Sequence, residues 1–370
     1  MAITNAGSSP ASFMKGLDLS QAFYAEAVKP ILESHFPDLV YSAGRLGSGS
    51  DVLGFDTDQS MDHDWGPKLT IFLTKTDHND LQDRIDQVLR NELPMEVRGF
   101  PTNLGLHEDG SDVMVPTERG PVNHRVTILT VSGFFEDYLG LDVVTDLSSV
   151  DWLTLPEQRL RTIVSGRVFH DGLGTLEPTV AKLKYYPRDV WLYLLSNQWR
   201  RISQEEAFMG RCGQVGDELG SRLIAGRLIL DLMKLCFLMM KQYAPYIKWF
   251  GSGFSQLDCA SDLTPIFTRI LQAESWKERE KHLTSAYEYV ARMHNALKIT
   301  APLNDRVSQF HNRPFLIIQA DNFANAILEQ IDSDDVKSLP RHLGGIDQFV
   351  HSTDVLAYPG RYRKFSTVYQ

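Results

Sequence analysis

Residues 44–67 read GRLGSGSDVLGFDTDQSMDHDWGP, and three features of this stretch decide what the chain can be. Gly47-Ser48-Gly49 follows a short apolar run, Leu39-Val40-Tyr41, so a strand is expected to feed a tight glycine turn. Such a turn exposes successive backbone N–H groups and makes a nest for phosphate oxygens. Asp62 and Asp64 stand two residues apart, and on a strand that spacing sends both carboxylates to one face while His63 faces the other. Paired carboxylates can hold hard cations such as Mg²⁺, which would bridge the phosphates of a nucleotide and stabilise an in-line displacement at phosphorus.

Each feature alone is commonplace, since a Gly/Ser turn is usually only a turn and Asp-x-Asp is usually a solvated loop. Their order is more specific: turn, then paired acids, then residues 68–75 (KLTIFLTK), which read as a buried strand. It is the order found in the polymerase-beta-type nucleotidyltransferase superfamily.

Working outward, residues 1–17 are small and polar and are expected to form a flexible tail. Phe23, Ala27, Ile31 and Phe36 recur near helical spacing, with Pro30 bending or dividing the helix and Pro37 ending it. Asn79 can cap a helix over residues 80–93, which Pro94 stops. Residues 125–131 (RVTILTV) read as a further strand and residues 133–139 as the start of a helix. Residues 18–150 are therefore expected to form a mixed α/β catalytic domain.

Beyond residue 150 the periods lengthen and become helical. Residues 188–202 are amphipathic, whereas residues 216–243 are apolar on nearly every side, the mark of a central bundle helix. Residues 260–271, 278–297 and 322–331 supply more helices. The expected class is α+β: an N-terminal mixed sheet with flanking helices, a helical bundle domain over residues 151–345, and an irregular tail over residues 346–370.

The bulk composition narrows the partners. A net charge of −10 argues against a nucleic-acid partner, because proteins that grip phosphate backbones usually carry a basic surface. Cys212, Cys236 and Cys259 are widely spaced and form no disulfide or zinc pattern. The first twenty residues lack the charged-then-apolar pattern of a secretory signal. The most apolar stretch, residues 228–240, is interrupted by Asp231 and Lys234 and is too short to span a bilayer. A cytoplasmic protein without a membrane partner is expected, and a homodimer is left open.

At this point the sequence resembles a known family. The string GSGSDVLGFD with DHDWGP, and later YYPRDVWLYLLSNQW, QEEAF, GDELGSRLIAGRLILDLMKLCFL and YAPYIKWFG, resemble the nucleotidyltransferase-like family catalogued as domain of unknown function 4037. The resemblance runs over residues 19–257 and is more distantly similar to aminoglycoside nucleotidyltransferases. It implies an α/β catalytic domain with a helical domain, and transfer of a nucleoside monophosphate, AMP from ATP, to a hydroxyl of a small molecule with release of pyrophosphate. It implies Mg²⁺ on Asp62 and Asp64, triphosphate on Gly47 and Ser48, and a general base at Glu205 or Glu206.

Two departures from the pattern stand out. Where the aminoglycoside enzymes commonly carry an arginine after the turn, this chain has Asp51, which leaves Arg45 as the nearest substitute. The superfamily's third acid is missing from residues 125–131, leaving His124 or Glu96 as replacements, or a site with fewer ligands.

Further candidates each have a plainer reading. Arg211 and Lys248 could meet the triphosphate, with Tyr246 or Trp249 stacking beside Lys248; Arg211 reads equally as a surface arginine, and the aromatic cluster around Lys248 is more often packing. Arg227, Asp231, Lys234 and Lys241 share one helix face and read first as an intrahelical ion-pair strip. His170 lies in GRVFHD, expected at the domain junction and more often structural there. Two rival functions remain: a phosphohydrolase built on His63-Asp64, which would need an all-helical setting, and a nucleotide-binding module without catalysis, which the missing third acid favours.

Overall fold

Two parallel strands explain the core of the first half. In a computed structural model that describes residues 12–107 and 110–370, strand β1 (Tyr41–Arg45) pairs antiparallel with β2 (Leu69–Leu73), and β2 pairs parallel with β3 (Val126–Thr130). A fourth strand, β4 (Arg167–Asp171), joins the open edge of β1, giving the order β3-β2-β1-β4. Side chains alternate across this sheet. Tyr41, Ala43, Leu69, Ile71, Leu73, Val126 and Ile128 enter one hydrophobic cluster with the N-terminal helices and with Ile85 and Leu89. The intervening residues, Thr70, Phe72 and Thr127 among them, face the other side.

The core side is covered by α1 (Gly16–Phe23) and α2 (Lys29–His35), joined by a π-helical turn at Tyr24–Val28, and by α3 (Lys75–Glu92). The backbone stays helical from Gly16 to His35, so Pro30 does not divide the helix; it follows the π-helical turn, whose wider winding accommodates the proline's missing N–H. Helix α3 starts earlier than Asn79 predicted, because the Thr74 hydroxyl caps it by accepting from the Asp77 N–H. On the opposite face α4 (Val131–Leu139) packs Phe134 edge-on against Phe72, with ring centroids 5.5 Å apart.

Of the tail expected over residues 1–17, residues 1–11 lie outside the described residues. Its end is fixed in place. Lys15 Nζ donates to the carbonyls of Gly54 and Asp56, and the Gly16 N–H donates to the buried Asp56 carboxylate at 2.7 Å.

The chain divides into two compact units, but not by one cut near residue 150. The first unit runs to Asp146 and also takes Arg159–Lys184; the second holds Leu147–Gln158 and Tyr185–Gln370. The expected helical domain therefore loses residues 159–184, because β4 satisfies its backbone hydrogen bonds on β1. As an edge strand with half-buried residues, RVFHD carries little of the apolar signature that reveals β2 and β3 in sequence.

The second unit is helical. Its long elements are α5 (Arg188–Glu205), α6 (Glu218–Met239), α7 (Ala260–Gln272), α8 (Trp276–Leu297) and α9 (Ala320–Leu328). Trp199 of α5 is fully buried and stacks on Phe323 of α9 at 4.3 Å. The charged face of α6 is not the intrahelical ion-pair strip that spacing favours. Arg227 pairs with Glu205, Asp231 accepts from Gln198 and from Arg201 at 3.1 Å, and Lys234 donates to the Asp347 carbonyl. Burial against neighbouring elements redirects each charge. Residues 346–370 belong to this unit as short helical turns; Arg363 pairs with Asp151 at 2.5 Å, and the Tyr369 hydroxyl donates to the Gly344 carbonyl. No helix among the described residues is long and apolar enough to cross a membrane.

Candidate functional site

The glycine turn forms as the sequence requires. Gly47 and Gly49 adopt φ of +88° and +149°, the region open to glycine at little cost. A side chain at Gly49 would meet the Asp51 carboxylate at 1.9 Å and the Arg45 guanidinium at 2.5 Å. Those two groups hold the turn from beneath. Arg45 is buried, makes a two-pronged pair with Asp51 at 2.8 and 3.0 Å, and donates to the carbonyls of Leu46 and Ser48. Asp51 is thus the partner of the arginine expected to replace the missing one, and much of Arg45's hydrogen-bonding capacity goes into the loop. The Gly47 N–H donates to the Thr162 carbonyl, and the Ser48 hydroxyl lies 3.1 Å from the Tyr138 hydroxyl.

The acidic triplet differs from its expected form. Asp62 ends a 3₁₀ turn (Asp58–Asp62), His63 is extended, and Asp64 lies in the left-handed region at φ +47°. The three residues precede β2 instead of lying on a strand, so the i, i+2 rule does not align the two carboxylates. The reason is local: Thr57 and Ser60 close a capping box that winds the turn, and the Asp64 N–H is drawn to the Asp112 carbonyl at 2.9 Å. Asp62 is exposed, with its carboxylate 2.8 Å from His63 Nδ1.

Asp64 does reach the turn's neighbourhood. It lines a cleft of about 370 Å³ together with Arg45, Ser48, Lys68, Thr70, Arg125 and Thr127. Sequence reading missed Lys68 and Arg125, which dominate this cleft. They occupy equivalent places: KLTIFLT and RVTILT run parallel with Leu69 opposite Val126 and Thr70 opposite Thr127. Lys68, Thr70, Arg125 and Thr127 therefore share the face opposite the hydrophobic core. The repeated pattern of cation, apolar residue, threonine and isoleucine was the available signal.

Arg125 pairs with the Asp64 carboxylate, and Lys68 donates to the Asp64 carbonyl at 2.6 Å with its carboxylate 3.5 Å away. Burial pushes the Asp64 carboxyl up, but Lys68, Arg125 and Arg45 outweigh it and hold it below the usual carboxylate range. Burial, helped by Arg45 and Arg125, brings Lys68 down to about 8. The cleft holds three cations against Asp51 and Asp64, and Arg125 Nη1 is buried with no hydrogen-bond partner among the described residues. A buried unmatched guanidinium donor calls for an acceptor.

The donor set for a divalent cation is thin. Asp64 is already matched by two cations, Asp62 points to solvent, and the described residues contain no group of three potential metal ligands. Neither proposed replacement supplies the third acid. His124 is buried, accepts from the Val126 N–H and sits against Asp86, and burial lowers its pKa; Glu96 is exposed on a short hairpin. In this arrangement the residues do not fit a bound Mg²⁺.

The remaining candidates lie in the second unit. Glu206 is buried and accepts from the N–H groups of Ile318 and Ala320 at 3.0 and 3.2 Å, anchoring the start of α9. Burial raises its pKa to about 7, while those N–H groups pull it back. Glu205 is mostly covered as well and pairs with Arg227. Arg211 donates to Gln214 on the surface, and Lys248 lies 5.1 Å over the Trp249 ring. In the first unit His170 lies on β4, its ring 4.9 Å from that of Tyr41.

Residues 152–250 match the family model described as a domain of unknown function, DUF4037. A nucleotidyltransferase-like protein from Exiguobacterium sibiricum is similar in structure at a TM-score of 0.33 and 11% identity, covering 77% of this chain and 82% of that one. No curated protein matches the chain.

Proposed function

We propose that this chain is a nucleotidyltransferase-type protein. Its first unit takes the phosphate chain of a nucleoside triphosphate, ATP by family resemblance, and its reaction passes the nucleoside monophosphate to a hydroxyl of a small molecule with release of pyrophosphate. One observation carries the reading: the glycine-serine turn and Asp64 converge on a cleft whose other charged walls are Arg45, Lys68 and Arg125. Phosphate oxygens would take the unmatched Arg125 Nη1 and relieve the crowding of cations around Lys68. Fixed cations at such a site stabilise the charge that builds on a leaving pyrophosphate. No step is assigned to a metal, since Asp64 is engaged by Arg125 and Lys68.

The same engagement favours a second reading, nucleotide binding without transfer. Pyrophosphate release from ATP and Mg²⁺ across a panel of hydroxylated small molecules separates the two. Release that is lost in Lys68→Met and Arg125→Gln supports transfer; release unchanged in both variants overturns it. Calorimetric ATP binding with no release across the panel establishes the second reading.

A further inference from the structure

Asp64 lies where an anion entering the first unit's cleft would go. Its carboxylate pairs with Arg125 and stands 3.5 Å from the Lys68 ammonium, which donates to the Asp64 carbonyl at 2.6 Å. The two cations are largely buried, with 15% and 9% of their side chains exposed, whereas 59% of the Asp64 side chain meets solvent. The positive charges are thus fixed at the head of the sheet, and the carboxylate is laid over them from outside. Asp64 belongs to the loop ahead of β2, and its backbone is tied by its own N–H to the Asp112 carbonyl. Its side chain can therefore leave the cations by rotation, with the loop in place. A carboxylate and a phosphate offer a guanidinium the same kind of paired acceptor oxygens. An entering phosphate chain must break the Asp64 contacts before it gains Lys68 and Arg125; Arg125 Nη1, which has no partner among the described residues, is exempt from that cost. The cations that make Asp64 a poor ligand for a divalent ion make it a stand-in for phosphate.

We propose that Asp64 is an internal competitor for the phosphate chain, a side chain that sets how tightly the cleft binds anions by holding Lys68 and Arg125 until a ligand displaces it. The inference rests on the reading of this cleft as a phosphate site. Its test is calorimetric titration of tripolyphosphate into the full chain, in buffer stripped of divalent cations and below the Lys68 pKa of about 8. Asp64→Asn is expected to bind about tenfold tighter than wild type, the scale of a charge-assisted hydrogen bond that no longer has to be broken. Asparagine tolerates the left-handed backbone at this position as aspartate does, and Asp64→Gly, which also accepts positive φ, should gain similarly. Asp62→Asn removes a neighbouring charge that pairs with His63 and should gain little, which separates displacement from a general loss of repulsion. In an Arg125→Gln background the gain from Asp64→Asn should shrink, because one of the contested cations is gone. Circular dichroism melts identify any variant that fails to fold. If Arg125→Gln weakens binding but folded Asp64→Asn and Asp64→Gly bind no tighter than wild type, or Asp62→Asn gains as much as they do, the competitor role is overturned and the phosphate reading stands. Binding that Arg125→Gln and Lys68→Met both leave intact overturns the phosphate reading and this inference with it.

Discussion

Lys68 and Arg125 stand at matched positions ahead of two parallel strands, and both turn onto Asp64. Neither cation is held by a helix terminus or a loop of its own. Each is placed by the pairing of Leu69 with Val126, so the registry of the sheet sets the spacing of the charges.

Removing either cation should therefore weaken phosphate-chain binding without unfolding the sheet. Arg125→Gln and Lys68→Met are each expected to lower the affinity for ATP or tripolyphosphate by about tenfold or more, the scale of a hydrogen bond to a charged group. Isothermal titration at low and high salt checks this. Affinity equal to wild type in both variants would show that the phosphates bind elsewhere.

The Arg45–Asp51 pair makes a different prediction. Both side chains are buried, and Asp51→Asn would leave the guanidinium with half of its partner's charge-assisted bonding. Breaking a buried pair from one side costs about 3 kcal/mol or more. Urea unfolding should show the transition of the first unit shifted to lower denaturant, and a shift within error would mean that solvent or the turn carbonyls compensate.

Gly49 tests the turn itself. Gly49→Ala forces a side chain at φ +149° into the Asp51 carboxylate and Arg45 guanidinium. Loss of stability together with loss of ATP binding is expected, whereas Gly54→Ala, at φ +74° with open space around it, should pay only the left-handed backbone cost. Equal behaviour of the two variants would remove the turn from the site.

Glu206 gives a pH dependence with a definite sign. Burial raises its folded pKa from an ordinary 4.5 to about 7, so the folded state holds the proton more tightly than the unfolded chain. Its contribution to stability is then greatest at acid pH and declines as pH rises from about 4.5 to 7, by roughly 3 kcal/mol at most. Glu206→Gln cannot titrate, and the difference between its unfolding curve and that of wild type should trace this decline. A pH-independent difference would mean that the carboxylate stays ionised against the Ile318 and Ala320 N–H groups.

The sequence alone was enough to determine an α+β chain with β2 and β3 as strands, a glycine turn after β1 and long helices in the second half. Those features rest on local periodicity and on the conformational freedom of Gly47 and Gly49, and neither needs a distant partner. Tertiary structure decided the rest. It wound Asp62 into a 3₁₀ turn and Asp64 into a left-handed residue, so that a spacing that aligns carboxylates on a strand did not align them here. It spent Arg45 on Asp51 and Glu206 on the start of α9, and it recruited Lys68 and Arg125 from positions that read as strand flanks. The same physical reason underlies each case: a buried charge takes its role from the partner that folding brings to it, and residues such as Arg125 and Asp64, 61 positions apart, meet only when the sheet has formed.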